Sequence, residues 1–503
     1  MSLTSVYFFL FLIITAGMYY LCPKLQKYIL AIASLYFYIS VSPMEKVDLI
    51  ALIIYIVVLT YFGGLLIERL EGKWKKVITF FCVSGLVAVL FITKYAYNLF
   101  SIFTKLFKLN IDFSWLQFGA IIGISYFILS AIGYLIDISW GLYKAERNIA
   151  IVLEYVFFFP QVISGPVTRF SDMGIQFKNI HKFDSTSVAN GIRRMLWGYF
   201  QKLVISERFA IIVQTVYRDY SNYSGIGIIG ATLCYAVQLY TDFSGCMDIV
   251  MGASQIFGIT LPENFKAPFF SKTIQEFWQR WHITLGTWFK DYVMYPVQKT
   301  QILVKLGKKC KKVFGKKIGK KIPFYISMLV LWFLLGIWHG ATGYYFMASA
   351  VVPFILLMGS DLLEPFFNKI NVLLNIDTSC SSWSLFQRLR TVLLVCICWL
   401  FVCAESLDRT WNVVLHMISN PIAYTTLEKA FEGFSLDVKD MLLMAIGVGV
   451  LMYADSRKYE GDSIQEVLDR QNIIFKWIII YLEILVILMY GMVGTSSFIY
   501  FQF

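Results

Sequence analysis

The chain has 503 residues, 58 % of them hydrophobic and only 15 % charged, and its mean hydropathy is +0.66, which excludes a solvated globular domain. A net charge of +12 would suit nucleic acid, but the excess is concentrated in one lysine cluster between apolar runs, so a nucleic-acid partner is not expected. The nine cysteines show no ligand spacing, and Cys396 and Cys398, two apart on a helix, face different sides, so neither a metal site nor a disulfide is expected.

Apolar runs recur at 3–22, 47–70, 77–100, 116–138, 226–257, 324–358, 391–403, 441–453 and 473–492, with shorter, ambiguous ones at 29–41 and 149–163. The reading is an all-α integral membrane protein with about ten to twelve transmembrane helices. The first run lacks a basic leader and a small-residue cleavage site, so it reads as a retained helix. Helices should end near Pro23 and Pro43, and Tyr19, Tyr20, Tyr36, Tyr38, Tyr95 and Tyr97 lie near run ends, where interfacial anchors sit. This part, 1–110, reads as N-terminal scaffold helices.

Further along, Pro160-Gln161-Val162-Ile163-Ser164-Gly165-Pro166 cannot continue a helix, which predicts a re-entrant or bent segment. His181 reads as an exposed loop histidine, and Gln201, Lys202, Glu207 and Arg208 form a polar stripe suited to an interface or a polar interior. Asp242 and Asp248 lie inside an apolar run, where each carboxylate costs roughly 2.5 to 3.5 kcal/mol on insertion. Pairing with a basic residue on a neighbouring helix and contact with substrate both answer that cost.

The densest polar and aromatic stretch follows, from Glu263 to Tyr292. Thr273 and Glu276 fit a capping box. One continuous helix from there puts Phe277, Trp281, Thr284 and Trp288 on one stripe, and Trp278, His282, Gly286 and Phe289 on the next, with His282 facing a gap at Gly286. Nine lysines between Lys305 and Lys321 then form a glycine-punctuated linker, read either as a cytoplasmic topology signal that attracts anionic lipid or as a funnel for a phosphate-rich substrate. Pro323 should open the next helix. That helix carries His339 between Gly336 and Gly340, and an ionisable residue within a span marks a site or a pathway. Glu483 lies in the last run. No P-loop, dinucleotide fingerprint or cysteine cluster is present.

Read together, Tyr240-Thr241-Asp242-Phe243-Ser244-Gly245, Pro262-Glu263-Asn264-Phe265-Lys266-Ala267-Pro268-Phe269, Glu276-Phe277-Trp278-Gln279-Arg280-Trp281-His282-Ile283-Thr284-Leu285 with Asp291-Tyr292, and Gly336-Ile337-Trp338-His339-Gly340 resemble the membrane-bound O-acyltransferase superfamily. Phe158-Phe159-Pro160-Gln161-Val162-Ile163-Ser164-Gly165-Pro166 also resembles its bacterial branch, which contains the alginate O-acetyltransferase membrane subunit and the D-alanyl transfer protein of teichoic acid synthesis. The resemblance covers most of 1–410 and implies one polytopic domain, with an acyltransferase core at 111–410 and C-terminal helices at 411–503. It further implies a ring of tilted helices around a thin central funnel with re-entrant segments, in the bacterial cell membrane. His339 resembles the superfamily's essential histidine and His282 the second histidine of this branch. The linker after Tyr295 departs from that branch in its length and lysine content.

Acyl transfer to a hydroxyl needs a base for the alcohol proton, and neutral imidazole suits it. A low-dielectric site keeps His339 neutral at rest. His339 is therefore the expected base, and His282 is expected to orient the donor thioester or stabilise charge developing on its carbonyl. No serine or cysteine in a nucleophile setting accompanies them, which favours direct transfer over an acyl-enzyme. Trp278, Arg280, Trp338, Asp242, Asn264 and Asp291 are the candidate substrate contacts.

No bound cofactor is expected. The expected donor is cytosolic acetyl-CoA, and the expected acceptor an exopolysaccharide or a secreted partner transferase. D-alanyl transfer from an acyl carrier protein is the alternative enzyme reading. A channel or transporter using Asp242, Asp248 and Glu483 is the alternative from another class.

Overall fold

The computed structural model describes residues 1–109, 111, 113, 121–340, 342–422, 433, 434 and 436–493. These residues are mainly helical, with no β-strand among them. Among the described residues, seven helices are long and apolar enough to cross a bilayer: Lys46–Arg69, Gly72–Phe107, Gly225–Ile256, Gln301–His339, Gly343–Leu373, Ser381–Ala404 and Ile473–Tyr490. An eighth span arises if the pair Val6–Leu21 and Pro23–Val41, bent by 111°, counts as one.

Several other expected runs are shorter or more polar than a span requires. Ile124–Trp140 has 17 residues, and the start of its run, 116–120, lies outside the described residues. Ile149–Phe157 has only 9. Val438–Glu460 ends in the charged sequence Asp455 to Glu460.

The chain's internal contacts form two units, Met1–Tyr199 with Gly245–Pro262, and Phe200–Ser244 with Glu263–Ser496. In the first unit the bend after Leu21 falls at Pro23, whose ring opens a new turn. Tyr19 and Tyr38 are buried rather than interfacial. Their hydroxyls donate to the carbonyls of Phe257 and Ile122 at 3.2 and 3.0 Å, supplying partners to loop backbone inside the protein. His181 is held rather than loose: its backbone N–H and C=O pair with the Gln26 amide, and its ring Nε2 lies 2.9 Å from the Gln176 carbonyl.

The proline-bracketed segment breaks as expected, with helix Ile149–Phe157 ending before it and Phe170–Lys178 starting after it. Helix Ser185–Tyr199 crosses the end of Gly225–Ile256 on glycines, since a Cβ at Gly198 would stand 2.5 Å from the Gly245 carbonyl oxygen. Backbones approach that closely only where side chains are absent. Beside this crossing Arg194 Nε donates to Asp248 at 2.9 Å, so pairing answers the cost of that buried carboxylate.

The second unit holds the polar stripe. Lys202, only 2 % exposed, lies 2.5 Å from Asp242 and 2.6 Å from Glu207, and Arg208 pairs with Asp440 at 2.8 Å. The stripe therefore faces a polar interior. The lysine-rich stretch is helical and not a linker, being the first part of Gln301–His339. At Gly315 the backbone turns to φ +78°, and a Cβ at Gly319 would stand 2.5 Å from the Lys311 Cα, so the two arms fold back on each other. Pro323 is accordingly inside the second arm rather than at its start; its ring packs on Gly307 of the first.

Candidate active site

All the candidate site residues fall in the second unit. Thr273 starts helix Ile274–Arg280 by accepting from the Glu276 N–H. The Glu276 carboxylate bonds the Lys272 N–H, one residue short of a capping box, and takes the Arg280 Nε at 2.9 Å. The helix does not continue through the histidine. Trp281 is extended (φ −101°, ψ 127°), and His282 is left-handed (φ 46°, ψ 53°) at the start of the short helix Ile283–Phe289. The expected single helix over these residues is thus two, because the chain reverses locally to meet a second segment.

That second segment is Asn264 to Lys266. The Lys266 N–H donates to the Arg280 carbonyl at 3.0 Å, and the Ile283 N–H donates to the Asn264 carbonyl at 2.9 Å. The Asn264 side-chain oxygen accepts from the Thr284 N–H at 3.2 Å and from the Thr284 hydroxyl at 2.9 Å, and stands 3.1 Å from His282 Nδ1. Asn264 therefore caps the next helix from a distance, satisfying its first N–H groups. A left-handed non-glycine residue costs about 1–3 kcal/mol. The cost is offset by these bonds and by the burial of Trp281 among Phe265, Phe277 and Trp399, with ring centroids 5.1 to 5.6 Å apart.

The stripe of Phe277, Trp281, Thr284 and Trp288 is buried despite the break. Gly286 is exposed, and a Cβ there would meet nothing within 4 Å; with the helix broken at His282, the single helical face that was to set His282 beside it is not formed.

His339 is not deep within its helix but is its last residue. The next residue, Gly340, has φ +153°, a conformation that side chains disfavour. Gly336, one turn earlier, lets a neighbouring segment close in: a Cβ there would stand 2.5 Å from the Ala350 Cβ. Ala341 lies outside the described residues.

The Trp338 ring joins the two histidines, with its centroid 6.3 Å from the His282 ring and 4.8 Å from that of His339. Phe243 meets the His282 ring edge-on at 4.8 Å. His282 is 4 % exposed, whereas His339 is half-buried. His282 lies outside the seven spans. Burial first, and the nearby His339 second, hold its protonation well below the ordinary imidazole range.

The remaining candidates divide. Trp278 packs on Trp332 at 5.4 Å on the same wall. Arg280 is engaged by Glu276, by the Lys266 carbonyl and by the face of Tyr459 at 4.5 Å. Asp242 is engaged by Lys202, and Asn264 is fully buried under its bonds to His282 and Thr284. Asp291 lies half-buried on the wide turn Lys290–Met294. Sequence reasoning placed Thr284 on an apolar stripe and missed its hydroxyl as a partner of Asn264. The signal was a hydroxyl two residues after a histidine, legible only once the helix is known to restart there.

A neutral imidazole in a buried, aromatic-walled site beside a second, more accessible imidazole can move a proton to and from a substrate oxygen or sulfur. Comparison with known proteins gives the family. Residues 76–309 match the membrane-bound O-acyltransferase family model. The "probable alginate O-acetylase" of Pseudomonas syringae pv. tomato is 31 % identical over 410 residues, 80 % of this chain and 72 % of that protein. The peptidoglycan O-acetyltransferase of Helicobacter pylori is 27 % identical over 86 % of this chain and 80 % of its own. The teichoic acid D-alanyltransferase of Streptococcus thermophilus is 28 % identical, over 44 % of this chain and 53 % of its own. With its membrane-spanning helices and this similarity, the chain belongs to the membrane-bound O-acyltransferase family and is a multi-pass bacterial membrane enzyme.

Proposed function

We propose that this O-acyltransferase moves acetyl groups from cytosolic acetyl-CoA to hydroxyls of an extracellular or cell-wall polysaccharide, directly or through a secreted partner transferase. The observation that carries the reading is the pairing of His282 and His339 about Trp338 in one buried aromatic site. In the reaction the acceptor O–H gives its proton to an imidazole, with His339 as the base. The oxygen bonds to the thioester carbonyl carbon, the carbon–sulfur bond breaks, and the departing sulfur takes the proton back. General acid–base help of this kind is worth about 10² to 10⁴ in rate. The ring of tilted helices with a cytosolic funnel, implied by the resemblance, would bring the donor to this site. Trp278 and Trp338 would line its wall, and Asp291 would stand at its edge.

The acetyl-transferring relatives cover 80 % or more of this chain, against 44 and 56 % for the two D-alanyltransferases, which favours acetyl over D-alanyl. The transport reading loses support because Asp242 and Asp248 are both held in ion pairs.

The test is thiol release from acetyl-CoA by the purified, reconstituted protein with alginate-type, peptidoglycan or teichoic acid acceptors. His339→Ala is expected to lose at least about 10² in kcat; normal turnover in that variant would remove His339 from the chemistry. Acyl transfer only from a charged carrier protein would establish the D-alanyl reading instead.

A further inference from the structure

The Asn264 side chain, fully buried, holds three partners on one atom: the Thr284 N–H, the Thr284 hydroxyl and His282 Nδ1. A backbone N–H is a donor in every protonation state, so the amide atom it meets must be the oxygen. Turning the amide over would set its NH₂ against the Thr284 N–H at 3.2 Å, two donors face to face. An oxygen accepts only, so Nδ1 of His282 must carry the hydrogen in that bond. In a neutral imidazole the other nitrogen, Nε2, then holds the lone pair.

The backbone makes this arrangement specific. The Asn264 carbonyl and side-chain oxygen cap successive N–H groups of the helix that begins after His282, so Asn264 cannot rotate away without exposing buried donors. The edge contact from Phe243 at 4.8 Å and the Trp338 ring at 6.3 Å confine the imidazole plane.

We infer that Asn264 is a positioning residue that fixes His282 as its Nδ1–H tautomer, so that Nε2 works as a proton acceptor and not as a hydrogen-bond donor to the thioester carbonyl. The chemical consequence rests on the acyl-transfer reading; the tautomer does not. His282 can donate from Nε2 only after it has itself taken a proton there. It is therefore a second proton-accepting group of the pair, and the expectation that it stabilises charge on the carbonyl is replaced. Asn264 itself acts through the imidazole and not on substrate.

The chain contains only four histidines, so ¹⁵N-histidine NMR of the full-length protein in lipid nanodiscs can resolve them, with His282 assigned by its loss in His282→Gln. Without any substrate, wild type is expected to show His282 protonated at Nδ1 and bare at Nε2. Asn264→Asp retains the acceptor and is expected to keep that tautomer. Asn264→Leu is expected to lose it and to lower kcat by about 10² or more with KM for the donor little changed.

An Nε2–H signal for His282 in wild type overturns the inference, as does an Asn264→Leu protein that keeps both the Nδ1–H tautomer and normal kcat. Should Asn264→Leu fail to fold, the wild-type and Asn264→Asp spectra still decide. A wild type with the expected tautomer that never cleaves a thioester would instead refute the acyl-transfer reading.

Discussion

Lys202 offers the most quantitative test of how this protein holds charge in an apolar interior. Its side chain is 2 % exposed, and its ammonium has Asp242 at 2.5 Å and Glu207 at 2.6 Å. At an effective dielectric near 20 each pair attracts by about 6–7 kcal/mol, most of it offset by the desolvation of the three groups. Replacing Lys202 by the near-isosteric Met removes the attraction and leaves the desolvation. The two carboxylates then lose that cation, and breaking a buried pair this way costs about 3–5 kcal/mol.

With about 2–3 °C lost per kcal/mol in a unit of this size, Lys202→Met should melt about 6–15 °C below wild type. The assay is thermal unfolding in detergent, followed by tryptophan fluorescence and by loss of the monodisperse chromatographic peak. Adding Asp242→Asn to Lys202→Met should restore part of the loss, since only one of the two carboxylates that faced the ammonium then keeps its charge. A Lys202→Met protein melting within about 2 °C of wild type would refute the reasoning, because water or relaxation would then be carrying the charges.

Other substitutions probe the histidine pair and its frame. Gly340→Ala finds space for its methyl but must adopt φ near +153°, so a loss of about 1–3 kcal/mol in stability and a shifted His339 with reduced kcat are expected, read by melting and thiol release. Gly336→Leu drives a side chain into Ala350 and Phe346, where even a Cβ would stand 2.5 and 3.0 Å away; overpacking of about 1–3 kcal/mol should appear in the same melting assay.

Burial and the neighbouring His339 depress the His282 pKa, so its contribution is fully present above the unfolded histidine pKa of about 6.5 and is lost as pH falls below it. Any melting advantage of wild type over His282→Gln should therefore shrink between about pH 7.5 and pH 5. A difference that grows on acidification would mean that His282 is stabilised in its charged form.

Composition and apolar run length by themselves determined that this is a helical membrane protein, the cost of imidazole among apolar residues singled out His282 and His339, and the O-acyltransferase family came from the resemblance of the motifs. Bilayer burial demands long apolar runs whatever the partners, and charged or imidazole groups inside them stand out by cost alone. Local pattern could not show the break at His282 or the fold-back at Gly315. Helical phase from Thr273 to Phe289 remains consistent with one helix, because the stripe it predicts is buried either way. The break exists because Asn264, eighteen residues away, caps the restarted helix and binds Nδ1.

The partners of Asp242 and Asp248 were likewise undecided by sequence, which offers Lys202, Arg193, Arg194 and Arg208 without saying which helix faces which. Tertiary packing chose Lys202 for Asp242 and Arg194 for Asp248. It also joined two histidines 57 positions apart about the ring of Trp338, since only contact between distant segments can dry a site, fix a tautomer and set one imidazole beside another.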